Sequence, residues 1–393
     1  MAKLLNTFAP PFKLVGAYFI ISICFAIFSL VALLWADFSI LTDLKTAAFF
    51  HTYFIGFVIS IIIGSIYQLT SVVLERPFFS LKGAYQNVFI YLFGLSIFLV
   101  GMLVGKSNLI YIGGILLYIG LLYFGMCYFF TFIGAKFKSF SAFCFFVSSI
   151  LFLLGISVGL LLVMTLFGWF EFDYLMMLRL HLYFVFGFIF FVLLGASSVL
   201  LPMFSLAHNV NFGFYYCSAS LYIFGFVLIF IYPYESVFIF LAAFLMFILQ
   251  CYLILKNRVR KALNVWSSNL YFSFLNLILA VVLFKFNLLE EAIFCLLYGF
   301  LYPFITAHIY KIMPFLIWYH YISKFVGKIK VPMLEDMVLK YFAYAALILN
   351  LFGVLFWMFG LKYIAIIFIL ISAICVFANM INFLRYIKFG AKL

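Results

Sequence analysis

Residues 51–73 read HTYFIGFVISIIIGSIYQLTSVV, with Lys45 before them and Glu75-Arg76 after them. No Asp, Glu, Lys or Arg interrupts the run. A helix needs about 20 consecutive apolar residues to cross a bilayer core roughly 30 Å thick. The reading of this one stretch decides the fold class, because stretches like it fill nearly the whole chain. Spans are expected at 14–36, 48–74, 88–105, 109–135, 141–168, 180–205, 213–233, 235–256, 266–285, 291–322, 341–360 and 363–386. The composition leaves room for little else: of 393 residues, 70% are hydrophobic and 8% charged. The expected fold is an all-α polytopic membrane protein, one integral membrane domain of about twelve transmembrane helices. Lysines precede the first span but no small-residue cleavage site follows it, so it reads as a retained helix.

The net charge is +13. In a soluble chain that would point to nucleic acid. Here the cations flank spans, so they read as topology signals and contacts with anionic lipid on the cytoplasmic side, with no nucleic-acid partner. With a cytoplasmic N-terminus, 17 of the 23 Lys and Arg fall inside, among them Lys3, Lys13 and the group Lys256, Arg258, Arg260 and Lys261. Lys45, Lys106, Arg179, Lys285 and Lys362 fall outside. Both termini are therefore expected in the cytoplasm. Trp35, Trp169, Trp266, Trp318 and Trp357 lie near span ends and read as interfacial anchors. Glu75-Arg76-Pro77 reads as a helix end with a local ion pair. The seven cysteines form no CxxC pair and read as small core residues. The 60 Phe and 27 Tyr are spread over all spans and read as lipid-facing and packing residues. No P-loop, HExxH, GxSxG or dinucleotide fingerprint is present.

A repeat links three spans. The second opens at His51, and the sixth opens at His181 with HLYFVFGFIFFVLLGASSVLLPM. With a one-residue slip, Gly64-Ser65 lies over Gly195-Ala196, and Ala307-His308 of the tenth span fits the same frame. That frame places Tyr310 on Tyr67 and Lys311 on Gln68. The implied unit is four helices, taken three times, with arcs at about 14–135, 141–256 and 266–386. In AHIYKIMPFLIWYH, residues 307–320, His308 and Lys311 share a helix face, and Pro314 removes a backbone hydrogen bond.

Twelve helices in three arcs, with histidines on helices two, six and ten, resemble subunit I of the haem–copper oxidase superfamily. The likeness is closer to its NnrS-like haem- and copper-containing relatives of bacterial nitric-oxide physiology. HxxxxGF at His51–Phe57, HxxxxxGF at His181–Phe188 and KIMPFLIW at Lys311–Trp318 carry it. The resemblance implies a bacterial inner-membrane protein holding haem b or copper, with respiratory complex components as possible partners. The chain departs from an oxidase where the chemistry is decisive. Tyr215, Tyr216 and Cys217 stand where helix seven needs a histidine pair. His308 and His320 are about 18 Å apart along a helix, too far to serve adjacent haems. Terminal oxidase activity is not expected.

Imidazole is a ligand for haem iron, copper and zinc. His51, His181 and His308 are the candidate metal ligands. Lys45 and Arg179 are candidates to pair with haem propionates. Lys311, Gln68 and Tyr67 are candidates for a deeper polar cluster. No acidic residue is in view at the depth of Lys311, and charge at membrane depth marks function by default. His208 and His320 read as interfacial. The alternatives are a secondary transporter with a mid-membrane His–Lys site and an assembly factor without a ligand of its own.

Overall fold

Inside a bilayer every backbone N–H and C=O must be satisfied within the protein, which leaves helices and closed barrels as spanning elements. The structure, a computed structural model, takes the helical solution throughout. It describes residues 8–392 other than 209; Lys3, counted above among the cytoplasmic cations, lies outside them. The helices are α1 (Phe12–Leu33), α2 (Leu44–Val73), α3 (Ala84–Val104), α4 (Ser107–Phe130), α5 (Phe140–Leu166), α6 (Tyr174–Ser205), α7 (Gly213–Ile229), α8 (Pro233–Lys256), α9 (Val265–Lys285), α10 (Leu289–Phe325), α11 (Lys340–Met358) and α12 (Lys362–Arg385). Among the described residues, eleven helices are long and apolar enough to cross a membrane, and α7, at 17 residues or fewer, is the short one. The chain is a multi-pass helical membrane protein, and each of the twelve expected spans has its helix.

Local chemistry sets the helix starts. Asp43 caps α2 by accepting from the backbone N–H groups of Lys45 and Thr46, and Asp173 does the same for Leu175 and Met176 at α6. Ser139 caps α5, and Asn264 with Ser267 forms a reciprocal capping box at α9. Each satisfies N–H groups that the first turn leaves without a helical partner.

The chain divides into two compact units. One comprises residues 1–18 and 59–260, the other residues 19–58 and 261–393. In the first, α3 packs on α4, α5 on α6 and α7 on α8 as antiparallel pairs. The α3–α4 contact is backbone to backbone: a Cβ at Gly113 would fall inside the main chain of Phe98, and one at Gly94 inside that of Leu117. Small residues allow this approach where apolar burial gives no net drive between helices. In the second unit, α9 packs along α10, and α11 pairs with α12.

Two helices depart from α geometry. In α2 the segment Thr52–Ile59 is π-helical, and in α10 the segments Cys295–Leu301 and Trp318–Ile322 are. Pro314 lies inside a continuing α-helical stretch, Tyr302–Ile317, and the backbone opens only afterwards, in the second of these π segments.

Three local expectations are corrected. Glu75 does not pair with Arg76; it takes a left-handed backbone at φ 52° and pairs with Lys138 at 3.4 Å, while Arg76 donates to the carbonyl of Ile133. Trp266 and Trp357 are not interfacial but buried, and Trp357 stacks on Phe294 with centroids 3.9 Å apart. Trp35 and Trp169 are exposed, as anchors are. Five of the seven cysteines are buried, whereas Cys217 is exposed.

Candidate functional site

The second unit is organised around the two π-helical segments that begin just after His51 and end shortly before His308. The phenol of Tyr53, in the first, donates to the carbonyl of Leu297, in the second, and their neighbours Tyr53 and Tyr298 meet edge to face at 5.3 Å. A π turn shifts main-chain bonds by one residue. The N–H of Tyr302 therefore reaches back to Leu297. The next donor along would come from Pro303, which has none. The carbonyl of Tyr298 is served instead by Asn350 Nδ2 of α11, at 3.0 Å. In α2 the carbonyl of Phe57 accepts from Ser22 Oγ at 2.9 Å. Gly56 lets the ring of Phe25 close on this segment, as Gly299 does for Asn276.

The tyrosines continue into the surrounding helices. Ser29 spends its proton on the carbonyl of Ala26, so Tyr298 donates to Ser29, at 3.1 Å. Ser372 likewise donates to Ala346, so Tyr302 donates to Ser372, at 3.2 Å. In the first unit Tyr128, Ser148 and the carbonyl of Phe145 repeat this phenol–serine–carbonyl order. Tyr53, Tyr298 and Tyr302 are all at most 2% exposed. These tyrosines are thus a polar lattice between helices, which the sequence reading took for packing alone. The signal was present in the serines and asparagines placed within spans, but phenol partners are chosen by tertiary geometry.

The three candidate ligand histidines share one arrangement. His51 Nδ1 lies 2.7 Å from the carbonyl of Ala47, His181 Nδ1 2.9 Å from that of Gly155, and His308 Nδ1 2.8 Å from that of Phe304. A carbonyl only accepts, so each ring carries its proton on Nδ1, and in the neutral ring Nε2 holds the lone pair. For His181 the carbonyl is on another helix, α5, and its ring fills the space beside Gly159. His308 is buried and packs on Phe304 at 4.6 Å. His51 and His308 belong to the second unit and His181 to the first.

Lys45 and Arg179 are exposed next to their histidines in sequence. Tyr67 and Gln68 are buried in the first unit, whereas Lys311 belongs to the second. The acid that the sequence reading could not find for Lys311 is Glu335, at 3.7 Å, brought in by the short 3₁₀ turn Leu334–Met337. Its side chain is 52% exposed against 23% for Lys311, so the pair is partly open rather than enclosed by the protein. His320 is half-buried in the second π segment of α10, and His208 is exposed. Among the described residues no three His, Cys, Asp or Glu side chains gather as a metal-ligand group. No protein-family model matches the sequence, and no curated protein matches it.

Proposed function

We propose that the chain is a haem- or copper-binding protein of a bacterial inner membrane, built on the plan of oxidase subunit I without its binuclear centre and serving respiratory or nitric-oxide-related physiology. The observation that carries this reading is the common anchoring of His51, His181 and His308. Ligating histidines typically donate their second ring nitrogen to a carbonyl or carboxylate, which fixes tautomer and orientation. All three rings are held that way by backbone carbonyls. The donor set fits haem better than a copper site made of protein ligands alone, since haem needs only one or two axial side chains. His308, in its apolar surroundings, would serve as one axial ligand, and His51 or His181 as another site's ligand. Lys45 and Arg179 would meet propionates at the membrane surface. Bound haem or copper supplies one-electron chemistry; the chain supplies ring orientation, a dry setting around His308 and a rigid joint beside His51.

The repeat frame draws support from the joint. Tyr53 meets Leu297 at a sequence offset of 244, one residue from the offset that lays Ala307 over Gly64. Tyr67 and Tyr310, equivalent in that frame, both carry buried hydroxyls without a hydrogen-bond partner. The proposal has both termini in the cytoplasm, a reading supported by the excess of Lys and Arg on that side of the expected spans, with the basic loops on anionic lipid and a respiratory complex as a fitting partner.

Measuring haem and copper in the purified protein tests this reading, with alanine at each of the three histidines as the control. A second reading, a secondary transporter, is favoured by the π-helical breaks in α2 and α10, since transporters bind substrate where helices are interrupted. Substrate-dependent uptake by proteoliposomes of haem-free protein is the result that selects it.

A further inference from the structure

The end of the second unit where α10 and α12 finish and α11 begins carries an unbalanced charge. Lys324, Lys328, Lys330, Lys340, Arg385 and Lys388 are all exposed there. The acids of the same end are engaged: Glu335 with Lys311, and Asp336 with the backbone N–H of Met333. Among the described residues none of the six cations has an acidic partner. Lys324 instead lies over the ring of Phe325, 5.1 Å from its centroid.

The loop that carries two of these lysines is fixed at both ends. After α10, Gly327 takes a left-handed backbone at φ 80°, which glycine adopts without strain. The N–H groups of Lys328 and Ile329 both return to the carbonyl of Phe325, at 3.1 and 3.3 Å. At the other end Asn382 Nδ2 of α12 donates to the carbonyl of Met337 at 2.7 Å, and the N–H of Leu339 donates to Asn379 Oδ1 at 2.8 Å. Met337 is buried. Between these fixed points residues 326–333 read VGKIKVPM. Val326, Ile329 and Met333 are exposed along with the lysines.

Cations without counter-charge and exposed apolar side chains on one short loop ask for a surface that answers both. Water solvates the lysines and leaves the apolar groups uncovered. An acidic soluble protein would answer the charge alone. The headgroup layer of a bilayer offers phosphates to the ammonium groups and an apolar boundary just beneath them. The chain is a multi-pass membrane protein, so such a layer adjoins its helix ends. The aromatic residues agree: Trp318 and Tyr319 near the end of α10 are partly exposed and Tyr341 at the start of α11 is fully so, and Trp and Tyr gather at the headgroup level.

We propose that the loop 326–333, with Lys324, Lys340, Arg385 and Lys388 around it, is a docking surface for the headgroups of anionic phospholipids, with Val326, Ile329 and Met333 reaching the acyl boundary. This rests on the reading that the basic loops face anionic lipid, and it names the contact. Native mass spectrometry of the full purified chain in neutral detergent, titrated with phosphatidylglycerol and with phosphatidylcholine, counts the bound lipid. Phosphatidylglycerol should bind several-fold more than phosphatidylcholine, and the preference should shrink as salt rises. Lys328→Gln with Lys330→Gln should lower that preference several-fold. Lys106→Gln with Lys285→Gln removes the same charge from exposed lysines outside the surface and should leave it intact. A photoreactive benzoylphenylalanine in place of Ile329 should crosslink to phospholipid in the membranes of the expressing cells. An equal loss from the two lysine pairs, no loss from Lys328 and Lys330, or a crosslink confined to protein overturns the proposal. Neither readout involves haem or copper, so its failure leaves the ligand reading of the histidines standing, and protein without either group can still pass.

Discussion

The phenol of Tyr53 donates to the main-chain carbonyl of Leu297, so the π-helical segment of α2 is bonded to that of α10. Neither residue is charged and neither is a candidate ligand. Their bond nonetheless fixes the helix carrying His51 against the helix carrying His308. Tyr53→Phe removes the donor and leaves Leu297 only the N–H of Tyr302. The expected cost is about 0.6 kcal/mol, the average for hydrogen bonds between membrane helices. Reversible unfolding in mixed micelles reads it directly. A variant as stable as the parent would show that the bond adds nothing to the joint.

Pro303 and Asn350 should be energetically coupled. Asn350 serves the carbonyl of Tyr298 because Pro303 offers no N–H. Asn350→Leu is therefore expected to destabilise by about 1 kcal/mol. In a Pro303→Ala background an N–H becomes available, and the same substitution should cost measurably less. A double-mutant cycle gives the coupling; strict additivity of the two changes would refute it.

The Lys311–Glu335 pair predicts a weak, salt-sensitive coupling. With the Glu335 side chain 52% exposed, solvent screening should hold the pair to less than about 1 kcal/mol. Stability of Lys311→Met, Glu335→Gln and the double variant at low and high salt measures this. The coupling should fall as the Debye length shortens. A coupling that salt does not alter would place the pair in a drier setting than the structure does.

Asp37, in the loop between α1 and α2, accepts from the hydroxyl and backbone N–H of Ser39. These bonds, helped by the more distant Lys362, hold its carboxyl below the usual range. A depressed folded value means that the stabilisation is present at neutral pH, above the unfolded value. It is lost as pH falls through the folded one. Ser39→Ala should move the titration of Asp37 upward toward that of an ordinary aspartate, followed by carboxyl carbon NMR on labelled protein. An unchanged midpoint would show that the Ser39 hydroxyl is not the cause.

How much of this was legible in the sequence follows from range. The twelve helices were, because an apolar run of bilayer length is a property of consecutive residues, and Asp43, Asp173 and Asn264 mark helix starts within three residues of themselves. His51, His181 and His308 stood out because histidine is rare in this chain. The tyrosine lattice did not. Tyr53 and Leu297 are 244 residues apart, and nothing local distinguishes Tyr53 from a tyrosine that faces lipid. Glu335 was missed for a related reason: it belongs to a loop in sequence and is carried to Lys311 by the turn at Leu334–Met337. Trp357 was misread because proximity to a span end says nothing of which side of the helix faces Phe294.

The central claim is that His51, His181 and His308 are set as ligands for haem or copper. A reduced-minus-oxidised optical spectrum of the purified protein, with metal analysis on the same sample, tests it most directly. The account predicts a haem Soret and α band, or stoichiometric copper, diminished by alanine at the ligating histidines while the fold is retained. Protein purified without haem bands or copper, and unchanged by those substitutions, would contradict it.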